Sequence, residues 1–349
     1  MFFASDNWAG AHPAIAANLS RHAAGFAPAY GSSDLDRAVE RMFCDVFERE
    51  VAVFFVSTGT AANALSMTTL ARPGGVFFAH RDAHMIADEC GAVEYLSGGG
   101  RLVPVDGPLG RIHPDALRAE IGRYPPGSVH AGQPAAISIT QASEIGTVYG
   151  LDDIDAVAGI AAQNGLALHM DGARFANALV SLGVTPAEMT WKRGVDVVSF
   201  GGTKNGCWCA EAVVFMDPAR AREFPFLRKR AAQLFSKSRF VAAQFEAYFR
   251  DGLWLEAARH ANAMAARLAA HVDASPHARL GWAPQANEVF PIMRADAVDR
   301  LKAAGAVLHP WQPPREIAGD IAAGEMLVRL VTSFATTQDE VDRFGALLA

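Results

Sequence analysis

Between about residue 50 and residue 215, short apolar runs alternate with stretches whose apolar positions recur at helical spacing. "VAVFFVS" (51–57), "GVFFA" (75–79), "AAISIT" (135–140), "GLALHM" (165–170), "VDVVSF" (195–200) and "EAVVFM" (211–216) read as buried strands. "LDDIDAVAGIAAQN" (151–164) carries Ile154, Val157, Ile160 and Ala161 on one helical face, with Asp152 and Asp153 where first-turn acids favour a helix start. Apolar strands alternating with helices predict a mostly parallel sheet covered on both faces. Residues 220–272 read as almost wholly helical. Pro276, Pro284 and Pro291 then punctuate a shorter β/α stretch that ends in "EMLVRLVTSF" (325–334), with a proline-rich loop, "HPWQPPREIAGD" (309–320), between its elements. The pattern divides the chain into a large domain, 1–249, and a small C-terminal domain, 250–349.

Composition narrows the classes. A chain of 349 residues, 51% hydrophobic and 19% charged, is ordinary for a globular protein with a large core. Net charge −6 offers no basic footprint, so neither nucleic acid nor an anionic membrane is an expected partner. No apolar run approaches the roughly 20 residues of a spanning helix, and Met1–Asp6 shows no secretory signal. Cys44, Cys90, Cys207 and Cys209 have neither zinc spacing nor a disulfide framework. The expectation is a cytoplasmic, reduced protein without a structural metal.

Two strand ends carry the candidate chemistry. The run 165–170 stops at Asp171, and the run 195–200 stops at Gly201-Gly202-Thr203-Lys204. Ligands of α/β sheets collect at the carboxyl ends of strands, so both side chains can face one crevice. Alone, the aspartate also serves as a helix N-cap, and the lysine is also an exposed surface residue. Together they match pyridoxal phosphate, whose aldehyde needs a lysine imine and whose ring nitrogen needs an anionic partner to stay protonated. "STGTAAN" (57–63) follows a strand and precedes a helix, so Gly59 and Thr60 can offer N–H groups and a hydroxyl to a phosphate. A plain capped glycine turn has the same composition. The spacing fits neither a P-loop nor a dinucleotide fingerprint.

"FASDN" (3–7), "AYGSSD" (29–34), "STGTAAN", "DAHMIADECGAVE" (82–94), "HMDGARFANA" (169–178), "FGGTKNG" (200–206) and "VRLVTSF" (328–334) occur in the order found in threonine aldolases. The chain resembles the low-specificity L-threonine aldolase branch of the fold-type-I pyridoxal-phosphate enzymes over nearly its whole length. The resemblance implies an α/β fold with a mostly parallel seven-stranded sheet between helices. It also implies cleavage of an L-β-hydroxy-α-amino acid to glycine and an aldehyde. Lys204 would carry the cofactor as an imine, beside Thr203. Asp171 would pair with the ring nitrogen, and His84 would stack on the ring. Arg174 would reach the phenolic oxygen or the substrate carboxylate. Ser5, Tyr30 and Arg329 would bind substrate, Arg329 by a two-pronged contact that lysine cannot copy. Arg239 would bind the phosphate of a neighbouring subunit's cofactor, giving a homodimer or homotetramer with shared active sites. For His84 and Arg239, a capping histidine and a surface arginine stay open as the structural alternatives.

Two departures bear on the substrate. Where many relatives have Tyr-Gly-Asp-Asp, this chain has Tyr30-Gly31-Ser32-Ser33. Where some have a second active-site histidine, Glu144 aligns, so the base for the substrate hydroxyl is Glu144, His84 or a water. A β-eliminating lyase, a transaminase or a non-catalytic binding protein on the same fold are the competing readings. Lys204, Asp171, Arg174 and Arg329 together argue against the last.

Overall fold

A computed structural model describes residues 1–349. Its main sheet has seven strands: β1 (Ala52–Val56), β2 (Gly75–His80), β3 (Arg101–Val105), β4 (Gln133–Thr140), β5 (Ala167–Gly172), β6 (Val197–Gly201) and β7 (Glu211–Phe215). Their spatial order is β1-β7-β6-β5-β4-β2-β3. Pairing is parallel from β3 through β6, and β7 runs antiparallel to both β6 and β1. Six of these strands coincide with the apolar runs read from the sequence. The seventh, β3, lies at an edge, opens with an exposed Arg101 and contains Pro104. An edge strand tolerates a proline and half-exposure, and neither looks like a buried strand in sequence.

The predicted helix is Leu151–Gln163, closed at its start by Asp153 accepting from the Gly150 N–H. The segment 220–272 is helical with two interruptions. Helices Phe224–Arg230 and Arg239–Phe249 are separated by a stretch with Ala232 at φ 60°. A turn with Asp251 at φ 54° then precedes the helix Leu253–Asp273. That last helix joins two apolar cores. Trp254 and Ala258 pack with Phe200 of β6 and with Phe245 of the preceding helix. Met264, Leu268 and Val272 pack in a second core with Val328, Leu330 and Phe344. This second core lies under a small antiparallel sheet: β8 (Ala278–Leu280), β9 (Glu288–Val289), β10 (Pro291–Arg294), β11 (His309–Pro310) and β12 (Glu325–Val331). The chain start is sewn into it, because Phe3 is buried there and exchanges backbone hydrogen bonds with Val307 and Val331. Residues 4–8 are thereby led to the carboxyl ends of the main-sheet strands.

Candidate active site

β4, β5 and β6 end side by side, with Asp171 in register with Thr140 on one side and Ser199 on the other. Beneath Asp171 on the same strand, His169 is bonded through both ring nitrogens to the hydroxyls of Ser138 (2.8 Å) and Ser199 (2.9 Å). Burial pushes its pKa down to about 3, so it is a neutral histidine tying three strands together. Asp171 is buried. Its Oδ1 accepts from the Ala173 N–H (3.0 Å) and its Oδ2 from Asn63 Nδ2 (2.8 Å).

The two glycines after β6 are there because backbone comes close. A Cβ at Gly201 would lie 2.8 Å from the Ala173 carbonyl, and one at Gly202 would lie 2.9 Å from the Ala210 carbonyl. The chain then makes one turn of 3-10 helix, Thr203–Asn205. Thr203 is fixed by the Ala210 N–H donating to its hydroxyl (3.2 Å) and by its own N–H donating to Glu211 (3.3 Å). Asn205 donates to the Tyr248 hydroxyl and the Trp254 carbonyl, both at 2.8 Å. Lys204, half-buried between two pinned neighbours, forms no hydrogen bond or ion pair. Burial raises the Glu211 carboxyl to about 7, against the opposing pull of Thr203 and Lys204.

Asn63 and Glu89 carry no signal of their own in the sequence, although they lie within the stretches 57–63 and 82–94. Asn63, on the helix Gly59–Leu70, donates from one amide nitrogen to Asp171 and to Glu89 Oε1, each at 2.8 Å. Glu89 Oε1 also lies 2.9 Å from His84 Nδ1, so a continuous polar chain runs His84–Glu89–Asn63–Asp171. The hydrogen bond to Glu89 raises the His84 pKa against the effect of burial, and nearby Glu144 and Asp171 add to the rise. Burial raises the Glu89 pKa as well, against the opposing pull of its hydrogen bond to His84. With Nδ1–H given to Glu89, His84 keeps its Nε2 lone pair free.

Two arginines complete the cluster. Arg174, buried just after β5, donates from Nε and Nη2 to Asp6 (2.8 and 3.1 Å), and its Nη1 lies 3.3 Å from Glu288. Asn287 donates to the same Asp6 (3.1 Å). Burial opposes the Asp6 charge, but Arg174 and Lys204 outweigh it and hold its pKa below the ordinary range. Arg174 is therefore already engaged by carboxylates of its own chain. Arg329, on β12, stacks over the Trp311 ring at 4.2 Å and donates Nη2 to the Ala4 carbonyl (3.3 Å). That bond brings it to Ser5, whose hydroxyl caps the turn Asp6–Trp8. Glu144, in the loop after β4, is buried and acts electrostatically on His84, Arg174 and Glu288. It also lines a cleft of ≈ 850 Å³ with His80, Arg81, Asp106, Trp311 and Arg315.

At the helix start Thr58 caps by accepting from the Ala61 N–H (3.1 Å), which leaves the first-turn N–H groups of Gly59 and Thr60 without an intrahelical acceptor. Tyr30 and Arg239 lie apart from the cluster within one chain. Tyr30 is exposed at φ 60° and bonded to Ser236, and Arg239 donates to the Gly25 carbonyl. The residues fit pyridoxal phosphate: an unpartnered lysine, a buried aspartate held by two donors, free helix-start amides and a histidine with an open nitrogen meet at one crevice.

The β-eliminating lyase family model matches residues 3–295. The chain is 39% identical over 303 residues to the low-specificity L-threonine aldolase of Pseudomonas sp. (strain NCIMB 10558), covering 87% of each chain. Against the protein of the same description from Pseudomonas aeruginosa it is 39% identical over 304 residues, again 87% of each. The solved threonine aldolase of Leishmania major superposes with a TM-score of 0.91 at 28% identity, over 99% of this chain and 98% of that one.

Proposed function

The chain belongs to the β-eliminating lyase family and, within it, to the low-specificity L-threonine aldolases, and on that premise we propose that it cleaves L-β-hydroxy-α-amino acids to glycine and an aldehyde. The observation that carries the reading is the convergence of the unpartnered Lys204 and the doubly bonded Asp171 from adjacent strand ends. Lys204 would bond the aldehyde carbon of pyridoxal phosphate, Asp171 would face the ring nitrogen, and Gly59 and Thr60 would meet the phosphate. Bound there, the cofactor supplies an electron sink for the bond beside the substrate's amino group.

The protein's own groups do the rest. Arg329 binds the substrate carboxylate, held flat by Trp311 and turned toward Ser5 by the Ala4 carbonyl. His84 Nε2 takes the hydroxyl proton as the Cα–Cβ bond breaks, and Glu89 stabilises the imidazolium that results. Glu144 is the second candidate for that proton. Asn63 and the Ala173 N–H both donate to the Asp171 carboxylate and fix its orientation. A homodimer or homotetramer with shared sites belongs to the same reading, supported by the position of Arg239 outside its own chain's cluster. So does a cytoplasmic setting, supported by four free cysteines.

Product analysis with L-threonine and with phenylserine tests the reaction class. Glycine and the matching aldehyde are expected, in equal amounts. Ammonia and an oxo acid would instead identify a β-eliminating lyase.

Glu89→Gln is expected to keep the cofactor absorbance and lower kcat roughly 10²-fold, the lower end of what a proton-transfer group contributes. Because Glu89 raises the His84 pKa, its loss should also move the acidic limb of kcat/KM to lower pH. An unmoved limb would assign the base to another group.

A further inference from the structure

Glu288 has no part in any of these roles, and its setting is unusual. It lies on β9 and is 0% exposed. Its Oε2 contacts Arg174 Nη1 at 3.3 Å, yet neither carboxylate oxygen accepts a hydrogen bond. In the β9–β12 ladder Glu288 is paired with Val331, so it shares a face with Arg329 two residues earlier on β12. That diagonal cross-strand position is within reach of long side chains. The charged groups around it come from every element packed there: Arg174 after β5, Arg329 on β12, Asp6 from the N-terminal turn and Glu144 from the loop after β4. Asp6 already takes two donors of Arg174, and Arg329 gives one to a backbone carbonyl while its Nε stays unpaired.

A buried carboxylate without donors is costly, and it is ordinarily relieved by a proton or a ligand. Here burial pushes the Glu288 pKa up to about 7, the charges of Arg174 and Arg329 pull against it, and Asp6 and Glu144 add to the rise. The charge count states the problem. Among the groups that act on Glu288 itself, two guanidinium groups face three carboxylates, Asp6, Glu144 and Glu288, for a sum of −1. A substrate carboxylate entering at Arg329 would bring it to −2 unless one carboxylate takes a proton. Glu288 is the one that touches Arg174, lies diagonal to Arg329 across the ladder and has no hydrogen bond on either oxygen.

We propose that Glu288 holds the place of the substrate α-carboxylate at Arg329 in the resting enzyme and takes up one proton from solvent when the amino acid binds. The proposal rests on the reading that Arg329 binds that carboxylate. Its consequence is a selectivity of binding for pH. Above the Glu288 pKa in the free enzyme, affinity falls by up to tenfold per pH unit, whereas below it affinity is flat. Titration of the substrate amine affects wild type and variant alike, so it cancels in their ratio.

The test uses the holoenzyme and glycine, which binds without being cleaved. Its Kd is read from the change in the cofactor spectrum at pH 6.0, 7.0 and 8.5 for wild type, Glu288→Gln and Arg329→Lys. Titration calorimetry in buffers of differing ionisation heat counts the protons taken up. At pH 8.5 Glu288→Gln is expected to bind glycine about tenfold to thirtyfold more tightly than wild type, with the ratio falling toward one at pH 6.0. At pH 8.5 wild type should take up close to one proton more per glycine than the variant. A ratio independent of pH, weaker binding in Glu288→Gln at every pH, or equal proton counts overturns the proposal. If Glu288→Gln does not fold, Glu288→Ala is held to the same outcomes. Arg329→Lys separates the two claims. Normal glycine binding in Arg329→Lys sinks the underlying reading. Impaired binding there, together with a flat Glu288→Gln ratio, sinks the role of Glu288 alone.

Discussion

Lys204→Ala is expected to lose the visible cofactor absorbance and turnover together, with kcat down roughly 10⁴-fold or more, as when a covalent nucleophile is removed. Nothing else in the crevice can replace it. Arg174 and Arg329 are guanidinium groups, not amines, and Lys204 is the only lysine among the clustered residues. The fold should hardly notice the change. Lys204 bonds to nothing, while Thr203 and Asn205 are fixed by Ala210, Glu211, Tyr248 and Trp254. Thermal unfolding of the variant should therefore stay within a few degrees of wild type. Full turnover in Lys204→Ala without an added amine would remove the central claim. The same variant tests the shared site. If Arg239→Ala is also inactive, refolding the two variants together should pair an intact Lys204 with an intact Arg239 in some sites. Partial activity in the mixture alone would place Arg239 at a neighbour's cofactor. A mixture that stays inactive despite confirmed hybrids would place it in its own chain.

What the sequence made legible follows from burial. Strands covered on both faces are continuous apolar runs, and β2 and β4 through β7 stand out for that reason; β1, at the other edge, is only half-buried at Ala52 and Phe54 but is apolar at every position. β3 alternates, begins with arginine and carries a proline because its edge faces solvent. The first break inside 220–272 was hidden because its left-handed turn falls on Ala232, not on glycine; the second falls on Asp251-Gly252, a single glycine inside an otherwise helical pattern. Lys204 and Asp171 were readable because each ends an apolar run. The residues that work on them were not. Asn63 lies mid-helix, Glu89 follows a four-residue helix, and Asp6 comes from the other end of the chain. Glu288 occupies a strand of only two residues, too short to show any period. Each acts through a contact between segments at least 26 positions apart or through a buried charge, and neither leaves a local pattern.

Asp171→Asn should give a protein that still binds pyridoxal phosphate but turns over about 10³-fold more slowly, some 4 kcal/mol of transition-state stabilisation. The geometry says why an isosteric change is so damaging. Both carboxylate oxygens are acceptors, one from Asn63 and one from the Ala173 N–H. An asparagine amide can satisfy only one of these, and its NH2 must face a donor on the other side. The charge that would keep a proton on the ring nitrogen is lost whichever way the amide turns. The loss also travels along the polar chain. The Asp171 charge contributes to the raised pKa values of both His84 and Glu89, so removing it should lower both. The acidic limb of kcat/KM should then shift to lower pH even as its height collapses. A merely structural aspartate capping the turn at Ala173 predicts something else: a drop in Tm, a kcat within tenfold of wild type and an unmoved pH limb. Finding that second pattern would reduce Asp171 to a cap and leave the crevice without its anion.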